Sequence, residues 1–372
     1  MAKEHYHLTV EPITCVHIGS GKQLSPLDYI VVPSKSGRML YATYSSDSIL
    51  HRIASDKRKT AEFEKVCTRM KDTQEFFHQN FAPAEDTLYK CHVTDEFKRH
   101  CAKHADTDPL DNAQLVAQMY RPEGSNAPVI PGSSLKGAIR TAILNQVLDS
   151  GDYPRPLGTS NTQVQKQLLN NYKDVKQDPF RALEIGDCVF EAKGTQLVGI
   201  LKNIKKNKTS GEVEEHNTSL IQAEVIKGSF MDNAPSGTAH IRINMDLGSA
   251  VSKKITKADI ISACNRFYLS TFEQEYKQFY KEATGSECDV ITELYKEIKA
   301  VASSLSNSFI LRVGRWSQVE FVTLGHDLRN PKTPKRKGKI MPYGTTRTVL
   351  NYDGVYLPLG WCKCTVTALE EA

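Results

Sequence analysis

The sequence predicts an α+β fold, on three observations. Runs of alternating apolar and polar residues open and close the chain, stretches with helical apolar spacing lie between them, and strand-like runs recur in pairs suited to antiparallel pairing. At 372 residues the chain can bury a full core in one large or two ordinary domains. Hydrophobic residues at 40% and charged residues at 24% are the balance of a soluble globular protein. No apolar run reaches the roughly 18 residues of a membrane span. The start, MAKEHYHLTVEPI, lacks the apolar core of a secretion signal. Nine cysteines, an odd number at scattered positions, do not have the spacing of a disulfide framework, so a reducing, cytoplasmic setting is expected. A net charge of +5 permits an anionic partner without requiring one, so the placement of the basic residues matters more.

Residues 5–13 alternate as an opening strand and lead through His17 to Gly19-Ser20-Gly21-Lys22. Glycine removes the Cβ, so backbone there can approach a ligand closely, and the N–H groups of such a turn can point at an anion beside the Lys22 charge. A plain glycine turn before a strand at 28–32 fits the same residues. From about 46 to 128 the texture is polar, with Phe63, Val66, Met70, Phe76 and Phe77 at helical intervals, which predicts several short inserted helices. Cys91, His92, His100, Cys101 and His104 fall close together here. They miss the paired spacing of a zinc site, so no metal is expected and a helix with half-buried side chains is the reading.

Residues 130–147, IPGSSLKGAIRTAILNQV, form a turn at Pro131-Gly132 followed by a helix that Ser133 or Ser134 can cap. Leu135, Ile139, Ala142, Ile143 and Val147 make its buried face. Lys136 and Arg140 project together beside that face. Free N–H groups, two hydroxyls and two cations suit a phosphate; the same residues also suit an ordinary capped amphipathic helix, and the local sequence leaves both open.

A link at 150–158 leads to a polar helix at 161–170. Strand-like runs follow at 182–190 and 197–200, with a turn at Lys193-Gly194 between them and Asp187 at a solvent-facing position. Lys202, Lys205, Lys206 and Lys208 mark an exposed hairpin or loop, and further strands are expected at 219–228 and 238–245. A helix at 256–280 opens on a Thr256/Asp259 capping box. It buries Ile260, Cys264, Phe267 and Tyr268, and Phe272, Tyr276, Phe279 and Tyr280 extend its core side. A second helix covers 289–305. The strand at 309–313 ends in Gly314-Arg315-Trp316, where Arg312, Arg315 and an aromatic beside glycine can hold phosphate and stack on a base. Residues 330–339 concentrate Lys332, Lys335, Arg336, Lys337 and Lys339 in a mobile basic loop suited to a nucleic-acid backbone. A hairpin-like pair of strands closes the chain, with Cys362 and Cys364 on one core-facing side.

The succession of HIGSG, PGSSLKGAIR, LRVGRWSQVEF and KTPKRKGKIMPYGTTRTV followed by PLGW resembles the RAMP superfamily of CRISPR proteins. Within it, the chain is most similar to the family of fifth subunits of type III-A Csm effector complexes. The first two motifs are shared widely in the superfamily; the others, with the overall length, favour that subunit family. The resemblance spans almost the whole chain, although most of 46–128 carries no assignable motif. It implies two ferredoxin-like (RRM-like) modules in succession, at 1–215 with the helical insertion and at 216–372. It also implies a non-catalytic RNA-binding subunit that caps the backbone filament, holds the 3′ part of the CRISPR guide RNA and takes part in guide maturation, with trimming by host nucleases. The partners it implies are the guide, the backbone RAMP subunit and the small helical subunit. RNA contacts are then expected at His17, Gly19, Ser20, Gly21, Lys22, Ser133, Ser134, Lys136, Arg140, Arg312, Gly314, Arg315, Trp316, Lys335, Arg336 and Lys337. Such contacts would go to backbone and shape, because a guide's sequence varies. No cofactor is expected.

Two other classes of function fit less of the sequence. In a metal-independent endoribonuclease of the same superfamily, His17 would act as acid or base, with Lys22 or Lys136 steadying the developing charge, or Asp28 would take the place of a cutting aspartate. One histidine is a thin basis for catalysis. In a protein-interaction subunit, the apolar helices at 256–305 and the inserted region would form the interfaces with neighbours.

Overall fold

In a computed structural model of the protein, the chain passes back and forth between two sheets, first through a buried run at residues 13–18. The structure describes residues 3–153, 157–158, 160–207, 209–216, 220–231, 234–245, 247, 250–281, 289–304, 306–325 and 344–369. The first sheet runs Ser308–Arg312, Trp361–Ala368, Lys3–Pro12, Gly237–Asn244, Cys188–Val189 and Val129–Ile130, with Leu183–Ile185 also paired to Gly237–Asn244. All of these pairings are antiparallel. The opening strand is central because Leu8 and Val10, two residues apart, point into the core and are fully buried. Helices Gly132–Ser150 and Lys257–Glu275 pack side by side in that core, contributing Leu135, Ile139, Ile143, Ile260, Cys264, Tyr268 and Phe272, with Asp289–Ser303 alongside. The Thr256/Asp259 capping box is present, and a π-helical turn at Tyr276–Tyr280 ends the long helix.

The second sheet runs Gly19–Leu24, Val116–Met119, Ile221–Ile226, Gln196–Lys206, Thr87–Val93, Met39–Tyr44 and Tyr29–Pro33. Two of its pairings, Thr87–Val93 with Gln196–Lys206 and Val116–Met119 with Ile221–Ile226, are parallel. The far half of Gln196–Lys206 carries Val213–Glu215 and Arg347–Tyr352, the latter in a hairpin with Val355–Pro358. Each sheet takes strands from both sides of residue 215. The α+β class expected from the sequence is the observed one.

Several local expectations are corrected. The 46–128 region holds helices Ser46–Ile53, Lys57–Val66, Met70–Asn80 and Asp95–Lys103, but also the strands Thr87–Val93 and Val116–Met119. These strands are short and bury few residues each, so their two-residue period is lost among the helices. Cys91 and His92 therefore lie on a strand, while His100 and Cys101 lie on the helix that follows and His104 ends it. Cys91 is in the core with Tyr29 and Tyr41, and His100 Nε2 lies 2.6 Å from the Ala113 carbonyl. Among the described residues no three His, Cys, Asp or Glu side chains gather to hold a metal. Met70 is exposed rather than core. Lys202 is on a strand, not in a loop, and its ammonium pairs with Glu96 at 2.8 Å and Glu215 at 2.6 Å. The closing hairpin is followed by a third strand, Trp361–Ala368, which returns to the first sheet with Cys362 and Cys364 buried on one side.

A buried set of charges ties the two sheets to the long helix. Glu275, at the end of that helix, receives Arg312 Nη1 at 2.9 Å and Arg347 Nε at 2.5 Å. Arg347 reaches on to Glu320 at 3.3 Å. All four side chains are at most 3% exposed. Arg312 comes from the first sheet and Arg347 from the second, so one carboxylate bridges both. The guanidiniums also lie over aromatic rings, Arg312 over Phe321 at 4.4 Å and Arg347 over Phe279 at 4.9 Å. Removing one partner strands the others in a dry interior. Glu275→Ala should therefore lower unfolding stability by about 3–5 kcal/mol, read as a shift in denaturant midpoint; an unchanged midpoint would show that the bridge does not hold the sheets.

Candidate nucleic-acid interface

The site is built around residues 13–18, which leave the first sheet for the second. Thr14, Cys15, Val16 and His17 are fully buried, so each backbone group needs a partner. Ile13 N–H and Thr14 N–H donate to the Trp361 carbonyl, Val16 and Ile226 exchange two bonds, and the Cys15 carbonyl accepts from Gly360 N–H. The His17 carbonyl accepts from Arg315 N–H at 2.9 Å, and the Ile18 carbonyl from Tyr120 N–H at 2.7 Å. Four distant segments are thus pinned to one short run.

His17 is held inside this seam. Its Nδ1 lies 2.6 Å from the Glu224 carbonyl, which can only accept, so Nδ1 carries the proton and Nε2 has no partner. Burial pulls its pKa down to about 4, and the Arg315 and Arg121 charges push the same way against the Glu224 carbonyl. The Glu224 carboxylate is itself buried; it accepts from Arg121 at 2.7 Å, from the Met119 N–H at 2.9 Å and from the Tyr89 hydroxyl at 2.7 Å. Sequence reasoning missed this Glu224–Arg121 pair because its members come from separate segments with no shared spacing.

The Gly314 junction docks against the same seam. Gly314 has φ +91, and a Cβ there would lie 2.5 Å from the His17 carbonyl oxygen, so only glycine fits. Beyond it Trp316 (φ 68) and Gln318 (φ 69) take left-handed backbone that side chains rarely adopt, a strain that the fixed contacts must hold. The Trp316 ring centroid is 4.9 Å from that of His17, and the exposed Arg315 guanidinium lies 5.0 Å from the Trp316 ring.

Three motifs that are far apart in sequence meet at a cleft of ≈ 410 Å³. Ile18 and Gly19 supply one part of its lining; Ser134, Gly137, Ala138 and Thr141 another; Arg312, Gly314, Arg315 and Ser317 a third. Tyr268, Phe321 and Val322 give it apolar surface, and among the described residues no carboxylate lines it.

The other expected residues are placed differently. The helix starts at Gly132, with Pro131 at the N-cap, so Ser133 and Ser134 lie inside the first turn and neither caps it. The capping acceptor is the Asp187 carboxylate, 2.8 Å from Gly132 N–H; Asp187 is exposed as expected, but it lies between two strands and holds the helix start. Asp187 sits where residues 182–190 break into Leu183–Ile185 and Cys188–Val189. A Cβ on Gly132 would lie 2.0 Å from the Ile185 carbonyl oxygen, which explains the glycine. Lys136 and Arg140 are absent from the cleft lining. Arg140 is paired with Asp178 at 3.1 Å and bonded to Gln165, while Lys136, lowered in pKa by burial, feels Asp178, Arg140 and Glu184. Arg312 is sealed in the ion network, so it is a structural cation rather than a surface contact. Gly19-Ser20-Gly21-Lys22 is not a turn: it begins the edge strand Gly19–Leu24, whose register shifts between Gly19 and Gln23 with Gly21 at φ 85. Lys22 is exposed there, and Ser20 bonds Gln118 at 3.1 Å. Asp28 closes its own turn, accepting from the Ser25 N–H and hydroxyl. Lys335, Arg336 and Lys337 lie outside the described residues.

Comparison with known proteins adds the following. The RAMP superfamily family profile matches residues 9–317. No curated protein sequence matches. Among solved structures, a chain of a Csm–crRNA–target RNA ternary complex from a type III-A CRISPR-Cas system has 17% identity and a TM-score of 0.64, covering 97% of this chain and 100% of that one. Csm5 of T. onnurineus has 15% identity and a TM-score of 0.60, covering 95% and 99%. At these identities the likeness is one of fold, and it is the fold of ferredoxin-like RAMP modules.

The His17 environment gives a pH prediction. A histidine whose folded pKa lies below the ordinary 6.5 contributes stability that is present above 6.5 and lost as pH falls towards 4. Between those limits the wild-type protein should lose up to roughly 3 kcal/mol from this group, and His17→Gln should lose correspondingly less. Parallel acid-side stability curves for the two proteins would mean that His17 does not titrate in this way.

Proposed function

Because the chain belongs to the RAMP superfamily, we propose that it is a non-catalytic, CRISPR RNA-binding subunit of a type III-A Csm effector complex. In this reading it caps the backbone filament, holds the 3′ part of the guide RNA and serves guide maturation, with trimming left to host nucleases. Its neighbours are the backbone RAMP subunit and the small helical subunit. The observation that carries the reading is the convergence of the Gly19, Ser134 and Gly314-Arg315 motifs on one cleft that, among the described residues, is lined by arginine and by no acid. Such a surface attracts a phosphate backbone without reading sequence. The two similar solved structures, one a complex that contains crRNA and target RNA, point the same way. On a division near residue 215 the cleft would draw on both ferredoxin-like modules, the first supplying Gly19 and Ser134 and the second Arg315.

Two observations favour binding over cutting. His17 is fully buried with one nitrogen committed to a carbonyl, and Asp28 is committed to its turn, so neither of these groups reaches the cleft. The cation that does reach it from the surface is Arg315. Arg140 is a poor probe of binding because removing it would also break its pair with Asp178.

For the full chain with single-stranded RNA, Arg315→Ala should weaken binding and reduce the slope of log affinity against log salt by about 0.7, the loss of one phosphate contact. Lys296→Ala, whose exposed ion pair with Glu293 lies within helix Asp289–Ser303 and outside the cleft lining, serves as the control and should leave the slope unchanged. Equal slopes for wild type and Arg315→Ala would remove Arg315 from the RNA contact.

A further inference from the structure

The cleft holds more than a phosphate needs. Its lining combines a cation with apolar side chains, and one of these, Val322, is 58% exposed at its edge. A bare anion site gains nothing from Val322, Phe321, Tyr268 or Ile18; a flat, partly apolar group does.

Gly137 is the second sign. It lies in the interior of Gly132–Ser150, where glycine is the least favourable residue after proline. Its neighbours in the protein give no reason for it: a Cβ at Gly137 would meet no atom within 4 Å. This contrasts with Gly132 and Gly314, whose glycines are forced by backbone oxygens at 2.0 Å and 2.5 Å. Gly137 is exposed and lines the cleft. A helix that gives up a side chain facing open space leaves room for something that arrives from outside. Gly19, in the same lining, is less open, since a Cβ there would be in ordinary contact with the His17 ring, Nε2 at 3.4 Å and Cδ2 at 4.0 Å.

We infer that the cleft takes a single unstacked nucleotide of the bound RNA strand, with its base seated over Gly137 against Phe321 and Val322 and its phosphate at Arg315. The volume of ≈ 410 Å³ is that of a site for a small ligand group. This inference rests on the RNA-binding reading above and specifies what the cleft receives.

Gly137→Leu tests it, because a Cβ at this position meets no atom of the protein within 4 Å, the longer side chain enters the cleft, and leucine favours the helix, so the variant should melt no lower than wild type. The probes are a short single-stranded RNA of fixed sequence and a set of strands in which one base at a time is replaced by an abasic sugar. Wild type should bind the intact strand about tenfold tighter than the strand abasic at one particular position. Gly137→Leu should weaken the intact strand by a similar factor, bind that abasic strand as wild type does, and leave the salt slope unaltered. If Gly137→Leu binds every strand like wild type while Arg315→Ala still weakens binding, RNA lies on this surface but no base occupies the cleft, and the inference is overturned. If wild type binds none of the strands, the RNA-binding reading fails together with it.

Discussion

The seam at residues 13–18 is the constraint on which the rest of the structure depends. Backbone that is fully buried must find its hydrogen bonds inside the protein, and here the partners come from 120, 226, 315 and 360–361. Each bond fixes the place of a different segment. The same seam sets where the edge strand Gly19–Leu24 departs and where the Gly314 loop must dock. A cleft between those two elements follows from satisfying the seam, with the 132–150 helix closing it. That helix is placed independently, by its apolar face in the core and by Asp187 at its first N–H.

Buried charge is segregated from the cleft. Glu275 and Glu320 take up Arg312 and Arg347, Glu224 takes up Arg121, and Asp178 takes up Arg140. These acids are thereby neutralised by internal cations, and among the described residues no acid lines the cleft. Among the described lining residues the exposed charge is that of Arg315. A mild overall charge of +5 is therefore enough for a local cationic site. The strained backbone at Trp316 and Gln318 fits this division of labour, since the loop is held by His17 and Gly314 on one side and offers Arg315 on the other.

Much of the architecture could be read from residue patterns. The two long helices show helical periodicity over many residues, and the Thr256/Asp259 box fixes a start that the structure reproduces. The opening strand and the strand before Gly314 were equally plain. The short strands Thr87–Val93 and Val116–Met119 were not, because a parallel or edge strand that buries two or three residues has too short a period to stand out. The helix cap was misplaced for a related reason: local rules name the serines, but a carboxylate 55 residues away reaches the N-terminus first.

What the sequence determined by itself was the set of glycine-marked junctions and the residues around them, because φ preferences, apolar spacing and capping are local properties of a chain. It also determined the family, through the order of those junctions. Only the tertiary structure decided which cations are available. Lys136, Arg140, Arg312 and Arg315 look alike in sequence, yet Arg312 is sealed under the cleft, Arg140 is bound to Asp178, Lys136 lies outside the lining, and Arg315 alone of the four is both exposed and at the cleft. The pairing of a charge depends on which distant acid folding brings within a few ångströms, and no spacing along the chain encodes that. The same holds for Gly137: a glycine is visible in any sequence, but the empty space above it exists only in the fold.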